Sequence, residues 1–371
     1  MKIKRVVAIG AAVSVALSGL ALSSASAEPV SNSYVLVGSD TLQDSSNALI
    51  NGTSITGPFV RVLSNNKTLA SYDAFGSIAI QTKPGGPFFG RPSGSGAGVT
   101  ALRASILGTT TYSGNAGVAA KTISGQVDIA RSSSGPSTNA NELGKLLYVP
   151  FARDAVAYAY KGGTAAWANL TTAQLKSIYD GTLTSIDGVA VTPRLPQTGS
   201  GTRNFFLNTI GYPGSAPVAP AVSDVGNVTP ENDANVLAAG QIIPFSVASW
   251  VAQANLAAPV NTTTAAGVLL GSAVAGQAPY TGTGNALVPN ADYYSSSYGR
   301  DTYLVVEYAR VDSSDPKFDQ GLKDLIDPTK AKSLTHFPTG TILSNSSGAV
   351  KKKFGFLPPS TTNTQRAFLN L

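Results

Sequence analysis

Short apolar runs, broken by turns rich in glycine and serine, set the rhythm of the first half of the chain. Tyr34-Val35-Leu36-Val37 has no charged position and reads as a buried strand. Gly38-Ser39-Asp40-Thr41 ends it, and Leu42 to Ile50 then carries a helical pattern. Gly94-Ser95-Gly96-Ala97-Gly98 repeats the theme ahead of Val99 to Arg103. The short strand Val127 to Ala130 leads into Arg131-Ser132-Ser133-Ser134-Gly135. Leu146 to Phe151 and Ala155 to Tyr160 are predicted strands on either side of Arg153-Asp154. Leu170 to Asp180 is predicted helical: Thr171 or Thr172 can cap it, Leu175, Ile178 and Tyr179 share a face, and Gly181 stops it. A further helix is expected over Pro230 to Ala239, with proline in its first turn. A strand is expected over Ile242 to Phe245, a helix over Ser249 to Leu256, a strand over Arg300 to Val306 and a helix over Phe318 to Leu325. Residues 257–298 are rich in Gly, Thr, Asn and Ser and show no clear period. Strands that end in polar glycine turns and hand over to helices make an α/β fold, with ligand loops at the strand C-terminal ends.

A fourth loop, Arg194-Leu195-Pro196-Gln197-Thr198-Gly199-Ser200-Gly201-Thr202-Arg203, runs into a helix beginning Asn204-Phe205-Phe206-Leu207. Gly199 and Gly201 let the backbone approach a ligand without a Cβ in the way. Ser200 and Thr202 offer hydroxyls, and either can cap the helix. The free N–H groups of a first helical turn suit an anion, and Arg194 and Arg203 flank them with charge. A capped turn before a core helix would show the same pattern, and that reading stays open.

Composition narrows the class. Lys2, Lys4 and Arg5 precede an uncharged apolar run from Val6 to Leu22, and Ala25-Ser26-Ala27 follows as a small-residue cleavage site. This predicts a Sec-type secretory leader over 1–27 and a mature chain of roughly 340 residues, enough for two cores. No later run reaches membrane length. The leader removes three basic residues and no acidic one, so the formal charge of +6 becomes +3. Neither that balance nor any basic run interleaved with aromatics points to nucleic acid. Lys351-Lys352-Lys353 reads as a solvated helix face. The chain has no cysteine, which excludes disulfides, thiolate catalysis, Cys-ligated metals and a lipid-modified N-terminal cysteine. Leu195-Pro196-Gln197-Thr198-Gly199 matches the cell-wall sorting pattern. It stands far from the C-terminus with no apolar stretch and basic tail after it, so the match is read as chance. The expectation is a secreted monomer without cofactor or metal.

Together these residues carry a resemblance. The four Ser/Thr/Gly loops in this order, LTxxQLxxIYxG at 170–181, GSGTR at 199–203 and GFLP at 355–358 resemble the phosphate-binding protein of high-affinity phosphate ABC transporters. More broadly they resemble the type II periplasmic-binding-protein fold, over roughly residues 34–359. The resemblance implies two α/β lobes, on separate sheets, that close on an anion, with the chain crossing twice as hinges. The crossings fall near Val149–Ala155 and Tyr298–Tyr303, giving lobe 1 as 28–150 with 301–371 and lobe 2 as 151–300. Both crossings carry Arg-Asp followed by a strand. This places Arg153, Asp154, Arg300 and Asp301 beneath the cleft, against the competing reading of two surface ion pairs.

The resemblance also implies a site. Thr41 and the adjacent Leu42 N–H match the first loop, Ser95 the second, and Ser200, Gly201 and Thr202 the main loop. The family's arginine, four positions before the Ser-Gly-Thr serine, falls on Pro196, with Arg194 and Arg203 as the nearest replacements. The family's buried aspartate, acceptor of the proton on hydrogen phosphate, falls on Ser133, beside the candidate Arg131. Asp40 is the acid left inside the four loops and the expected substitute. The implied function is capture of phosphate or a related oxyanion for uptake, with an ABC transporter permease as partner.

Two other classes remain as alternatives: a phosphatase-like protein of the same fold, and a surface adhesion module. A phosphatase needs a nucleophile with an activating base or metals. His336, the one histidine, lies away from all four loops. No G-x-S-x-G elbow occurs and no His/Asp/Glu cluster has metal spacing, so no catalytic residue is assigned. The Ser/Thr/Gly content suits an adhesion module, but the absence of internal repeats argues against it.

Overall fold

The computed structural model describes residues 34–114, 117–212, 229–264 and 267–368. The expected leader over 1–27 and the final residues 369–371 lie outside the described residues. Strand β1 (Tyr34–Gly38) is buried at every position and runs parallel to β2 (Leu69–Ser71) and β3 (Ile129–Ser132), one on each edge. The remaining main strands are β4 (Leu146–Lys161), β5 (Thr192–Pro193), β6 (Gln241–Ser246), β7 (Val268–Gly271), β8 (Gly299–Glu307) and β9 (Gln365–Ala367). These nine form one mixed sheet in the order β5-β6-β4-β8-β3-β1-β2, with β7 and β9 also paired to β4. The helices are α1 (Gln43–Asn51), α2 (Ser95–Leu107), α3 (Thr172–Asp180), α4 (Gly201–Thr209), α5 (Val247–Ala254), α6 (Ala291–Ser295), α7 (Gln320–Leu325) and α8 (Ser347–Lys353).

The strand β4 organises the sheet. Its first part pairs antiparallel with β8 and β9, and its last part with β6 and β7. The β4–β8 register sets Arg300 opposite Asp154 and Asp301 opposite Arg153. A bulge follows between Thr302 and Tyr303, where added twist is expected.

Side-chain alternation along the strands makes two cores, one on each face of the β1 end of the sheet. Tyr34, Leu36, Ile129, Leu147, Val149, Leu304 and Val306 fill one. Val35, Val37, Ala130, Leu146, Tyr148 and Val305 fill the other. In a third core every buried member lies between Ala155 and Tyr298, with Trp167, Tyr179, Phe206 and Trp250 among the largest. Helix α5 joins the regions: Val247, Trp250 and Val251 sit in the third core, Ala248 and Ala252 in the first. One sheet runs through all three core regions. Separate sheets were expected; β4 and β8 are long enough to carry the ladder from one core region into the next.

Other expectations are corrected. The two strands predicted around Arg153-Asp154 are one sixteen-residue strand, because both charged residues find partners across the ladder. Pro230 to Ala239 is no α-helix and holds a single 3-10 turn at Ala234–Val236. Its backbone groups go elsewhere: Glu231 N donates to Asp40 Oδ2 (3.1 Å), and Asn232 O accepts from Gln253 Nε2 (2.6 Å). Lys351 does not face solvent. It is fully buried, with Nζ donating to Phe151 O (2.7 Å) and Leu334 O (3.1 Å) and lying over the Phe151 and Phe337 rings. The Leu170–Asp180 helix is present as α3, closed by a capping box of Thr171 and Gln174 and ended by Gly181 in the left-handed region.

Candidate anion-binding site

Three loop-to-helix junctions meet at one buried spot. Asp40-Thr41-Leu42 runs into α1, Gly94 into α2 and Ser200 into α4. Ser200 Oγ caps α4 by accepting from Arg203 N at 3.0 Å. Leu42 and Gly94 supply no side-chain cap to their helices. Thr41 Oγ1 lies 3.4 Å from Thr202 Oγ1, and Gly96 N donates to Gly199 O at 3.2 Å. Gly201 packs directly on the second loop: a Cβ there would stand 2.6 Å from Ser95 Oγ and closer still to Ser133 Oγ. Ser95 Oγ lies 3.0 Å from Ser133 Oγ and accepts from Ser133 N at 2.9 Å. Helix N-termini carry partial positive charge, so their convergence favours an anion.

The full positive charge comes from Arg300 on β8. Its Nε and Nη2 donate to Asp154 Oδ2 at 3.2 and 2.9 Å, and both side chains are almost wholly buried. Asp154 Oδ1 is held by Ser246 Oγ and Ala248 N, each at 3.0 Å. The guanidinium thus has one orientation, and Nη2 reaches on to Thr202 Oγ1 (2.8 Å) and Thr41 Oγ1 (3.3 Å). The Phe205 ring covers it, 5.6 Å from centroid to Cζ. Nη1 is buried without a hydrogen-bond partner among the described residues. The second pair, Arg153–Asp301 at 3.1 Å, sits one register step away.

The hydroxyls converge on a carboxylate from the chain itself. Glu231 Oε1 accepts from Thr41 Oγ1 (2.7 Å) and Ser39 Oγ (3.3 Å). Oε2 accepts from Ser200 Oγ in a short bond and from Thr202 N (3.3 Å). Burial disfavours its charge, but Asp40, the positive Arg300 and the Ser200 and Thr41 hydroxyls outweigh that and hold Glu231 below the usual carboxylate range. Asp40 shifts the other way: burial first, then the Glu231 charge, raise it well above the usual range. The two acids titrate as a pair, with the charge favoured on Glu231. Asp40 Oδ1 has no partner among the described residues.

The structure brings Asp40, Thr41, Ser95, Ser133, Ser200, Gly201 and Thr202 together. Leu42 turns its side chain into the core, leaving only its backbone near the α1 terminus. Arg131 lies beneath the first loop and donates to Ser39 O (3.0 Å), Ser71 Oγ (2.7 Å) and Tyr72 O (2.6 Å). It positions Ser39-Asp40-Thr41. Burial lowers it to about 10, so it stays charged at neutral pH. Arg203 folds back to Pro196 O (3.0 Å), and Arg194 reaches Gln241 Oε1 (3.3 Å) at the sheet edge. His336 Nδ1 faces Pro328 O at 2.8 Å, a structural contact. Sequence reasoning placed Arg300 beneath the cleft but not in the donor set, and missed Glu231 altogether. The repeated Arg-Asp was the available signal for the first. Nothing local marks the second.

Residues 77–308 match the family described as a PBP superfamily domain, and the chain belongs to that superfamily. No curated protein matches the chain. Among solved structures it is similar to an ABC-type phosphate transport receptor from Vibrio cholerae: 17% identity over 88% of this chain and 100% of that one, TM-score 0.49. It is also similar to a putative phosphate ABC transporter substrate-binding protein from Clostridium perfringens, at 15% identity over 79% and 96%, TM-score 0.47. A third is a phosphate-binding protein from Stenotrophomonas maltophilia, at 14% identity over 89% and 91%, TM-score 0.46. Among the described residues no helix is long and apolar enough to cross a membrane, and no group of three His, Cys, Asp or Glu is placed to hold a metal.

Proposed function

Starting from membership of this superfamily, we propose that the chain is a solute-binding receptor that captures a small oxyanion between two lobes for ABC-type uptake. The observation that carries the reading is the donor set: Ser39, Thr41 and Ser200 hydroxyls and the Thr202 N–H all aim at one buried carboxylate, and Arg300 backs the Thr41 and Thr202 hydroxyls. A group of donors with no positive partner of their own except Arg300 recognises negative oxygens and little else. Inorganic phosphate, the ligand implied by the loop motifs, is the first to test. Asp40 is the residue for telling phosphate from sulfate, because phosphate carries a proton to share with a carboxylate and sulfate does not. Lobe 1 as 28–150 with 301–371 and lobe 2 as 151–300 are the moving parts in this reading, with β4 and β8 as the hinge strands.

The test is calorimetric titration with phosphate, with sulfate as competitor. Binding at about 1 mM or tighter, worth about −4 kcal/mol, is expected for the parent. Bonds to charged groups contribute about 1.5–3 kcal/mol each, so Ser200→Ala with Thr202→Ala should weaken phosphate at least tenfold. Unchanged affinity in that double variant moves the site elsewhere. Sulfate bound as well as phosphate, in the parent and in Asp40→Asn alike, removes Asp40 from selectivity.

A further inference from the structure

We propose that Glu231 is a built-in competitor of the ligand: its carboxylate stands in for two oxygens of the anion and must swing out before the anion loads. The inference rests on the oxyanion-receptor reading above and adds a regulating residue to it. Glu231 meets the site as an anion would. Each of its oxygens takes two donors, and those donors come from the first loop and from the α4 junction. The backbone around it is pinned at three points: Gln197 N to Thr229 O (3.0 Å), Glu231 N to Asp40 Oδ2 (3.1 Å) and Gln253 Nε2 to Asn232 O (2.6 Å). A carboxylate on so short a tether has a high effective concentration at the site. It lowers apparent affinity by the fraction of molecules in which it is displaced.

The carboxylate does not use everything the site offers. Arg300 and Asp40 belong to the site, and Gln197 on the adjoining loop is fully buried; Arg300 Nη1, Asp40 Oδ1 and both amide atoms of Gln197 have no partner among the described residues. A permanent internal tie would have no use for them. A tetrahedral anion brings two more oxygens than Glu231, one of which can meet Arg300 Nη1. Asp40 Oδ1 can pair with another of those oxygens.

The experiment compares the parent, Glu231→Gln and Glu231→Ala by phosphate calorimetry, and by melting temperature with and without acetate. Glutamine keeps the shape and a neutral acceptor, so it reports even where alanine fails to fold. Both variants should bind phosphate at least tenfold tighter than the parent, about 1.4 kcal/mol. Acetate should raise the melting temperature of Glu231→Ala and leave the parent unmoved. Variants that bind phosphate no tighter than the parent overturn the competitor and leave the phosphate reading standing. Phosphate ignored by all three proteins, with acetate still stabilising Glu231→Ala, supports the carboxylate as occupant and overturns phosphate as its rival. No response to either anion overturns both.

Discussion

Arg300→Met keeps most of the side-chain stem and removes the guanidinium, which tests the site's central ion pair. Asp154 Oδ2 then loses both donors, while Oδ1 keeps Ser246 Oγ and Ala248 N. A buried carboxylate deprived of its partner costs about 3–5 kcal/mol. The bonds surviving at Oδ1 place the expected loss near the lower bound, about 3 kcal/mol. Asp154→Asn leaves the guanidinium buried against a neutral amide and should cost a similar amount. The double variant removes both charges of this pair, so its loss should fall short of the summed single losses by about 2 kcal/mol or more. Urea unfolding of all four proteins at neutral pH, with m checked for constancy, measures this. Single losses that add to within about 0.5 kcal/mol would show two independent sites and refute the coupling. Both variants lacking Arg300 should also lose phosphate heat, whatever their stability.

Three further outcomes follow from other parts of the molecule. Gly201→Ala drives a Cβ into Ser95 and Ser133, so it should cost about 1–3 kcal/mol in unfolding free energy and abolish phosphate binding. Burial holds Lys351 well below its usual 10.5, so the unfolded chain binds more protons and parent stability should climb with pH toward that value. Lys351→Met should be more stable at neutral pH and flatten the climb, as read by melts at several pH values. Asp44 is raised to about 6 by burial and by Asp73, so its contribution is present below the unfolded value near 3.8 and is lost as pH rises through 6. Asp44→Asn should therefore gain at most about 3 kcal/mol at pH 8 and almost nothing at pH 4, by denaturant titration.

Much of the fold was legible because its signals are local. β1 is an apolar run with glycine behind it, α3 has a capping box and a glycine stop, and α4 has Ser200 at its cap; each encodes its own ends. Where the reading erred, distant partners decided. Arg153-Asp154 looks like a break between strands until Asp301 and Arg300 lie opposite and neutralise it. Pro230 to Ala239 has a helix-like start, but Asp40 and Gln253 claim its backbone groups first. Lys351 looks solvated until two carbonyls and two aromatic rings are seen around its Nζ.

The site divides along the same line. Thr41, Ser95 and the Ser200-Gly201-Thr202 run could be picked out because hydroxyls beside glycines at helix starts are a local pattern. The two residues that set the electrostatics have no such pattern: Arg300 comes from mid-sheet and Glu231 from an irregular turn. Counting donors from sequence also says nothing of whether they are already satisfied. In the folded chain they are, by Glu231, and a filled donor set alone would argue for a structural tie. What tips the balance is the remainder: a guanidinium nitrogen of Arg300 and a carboxyl oxygen of Asp40 are buried with no partner among the described residues. Each such atom costs about 1–3 kcal/mol or more to leave unsatisfied. A fold that needed only an internal tie would gain nothing from leaving Arg300 Nη1 and Asp40 Oδ1 unpartnered. A fold that must also take a four-oxygen anion in the same place has to keep them.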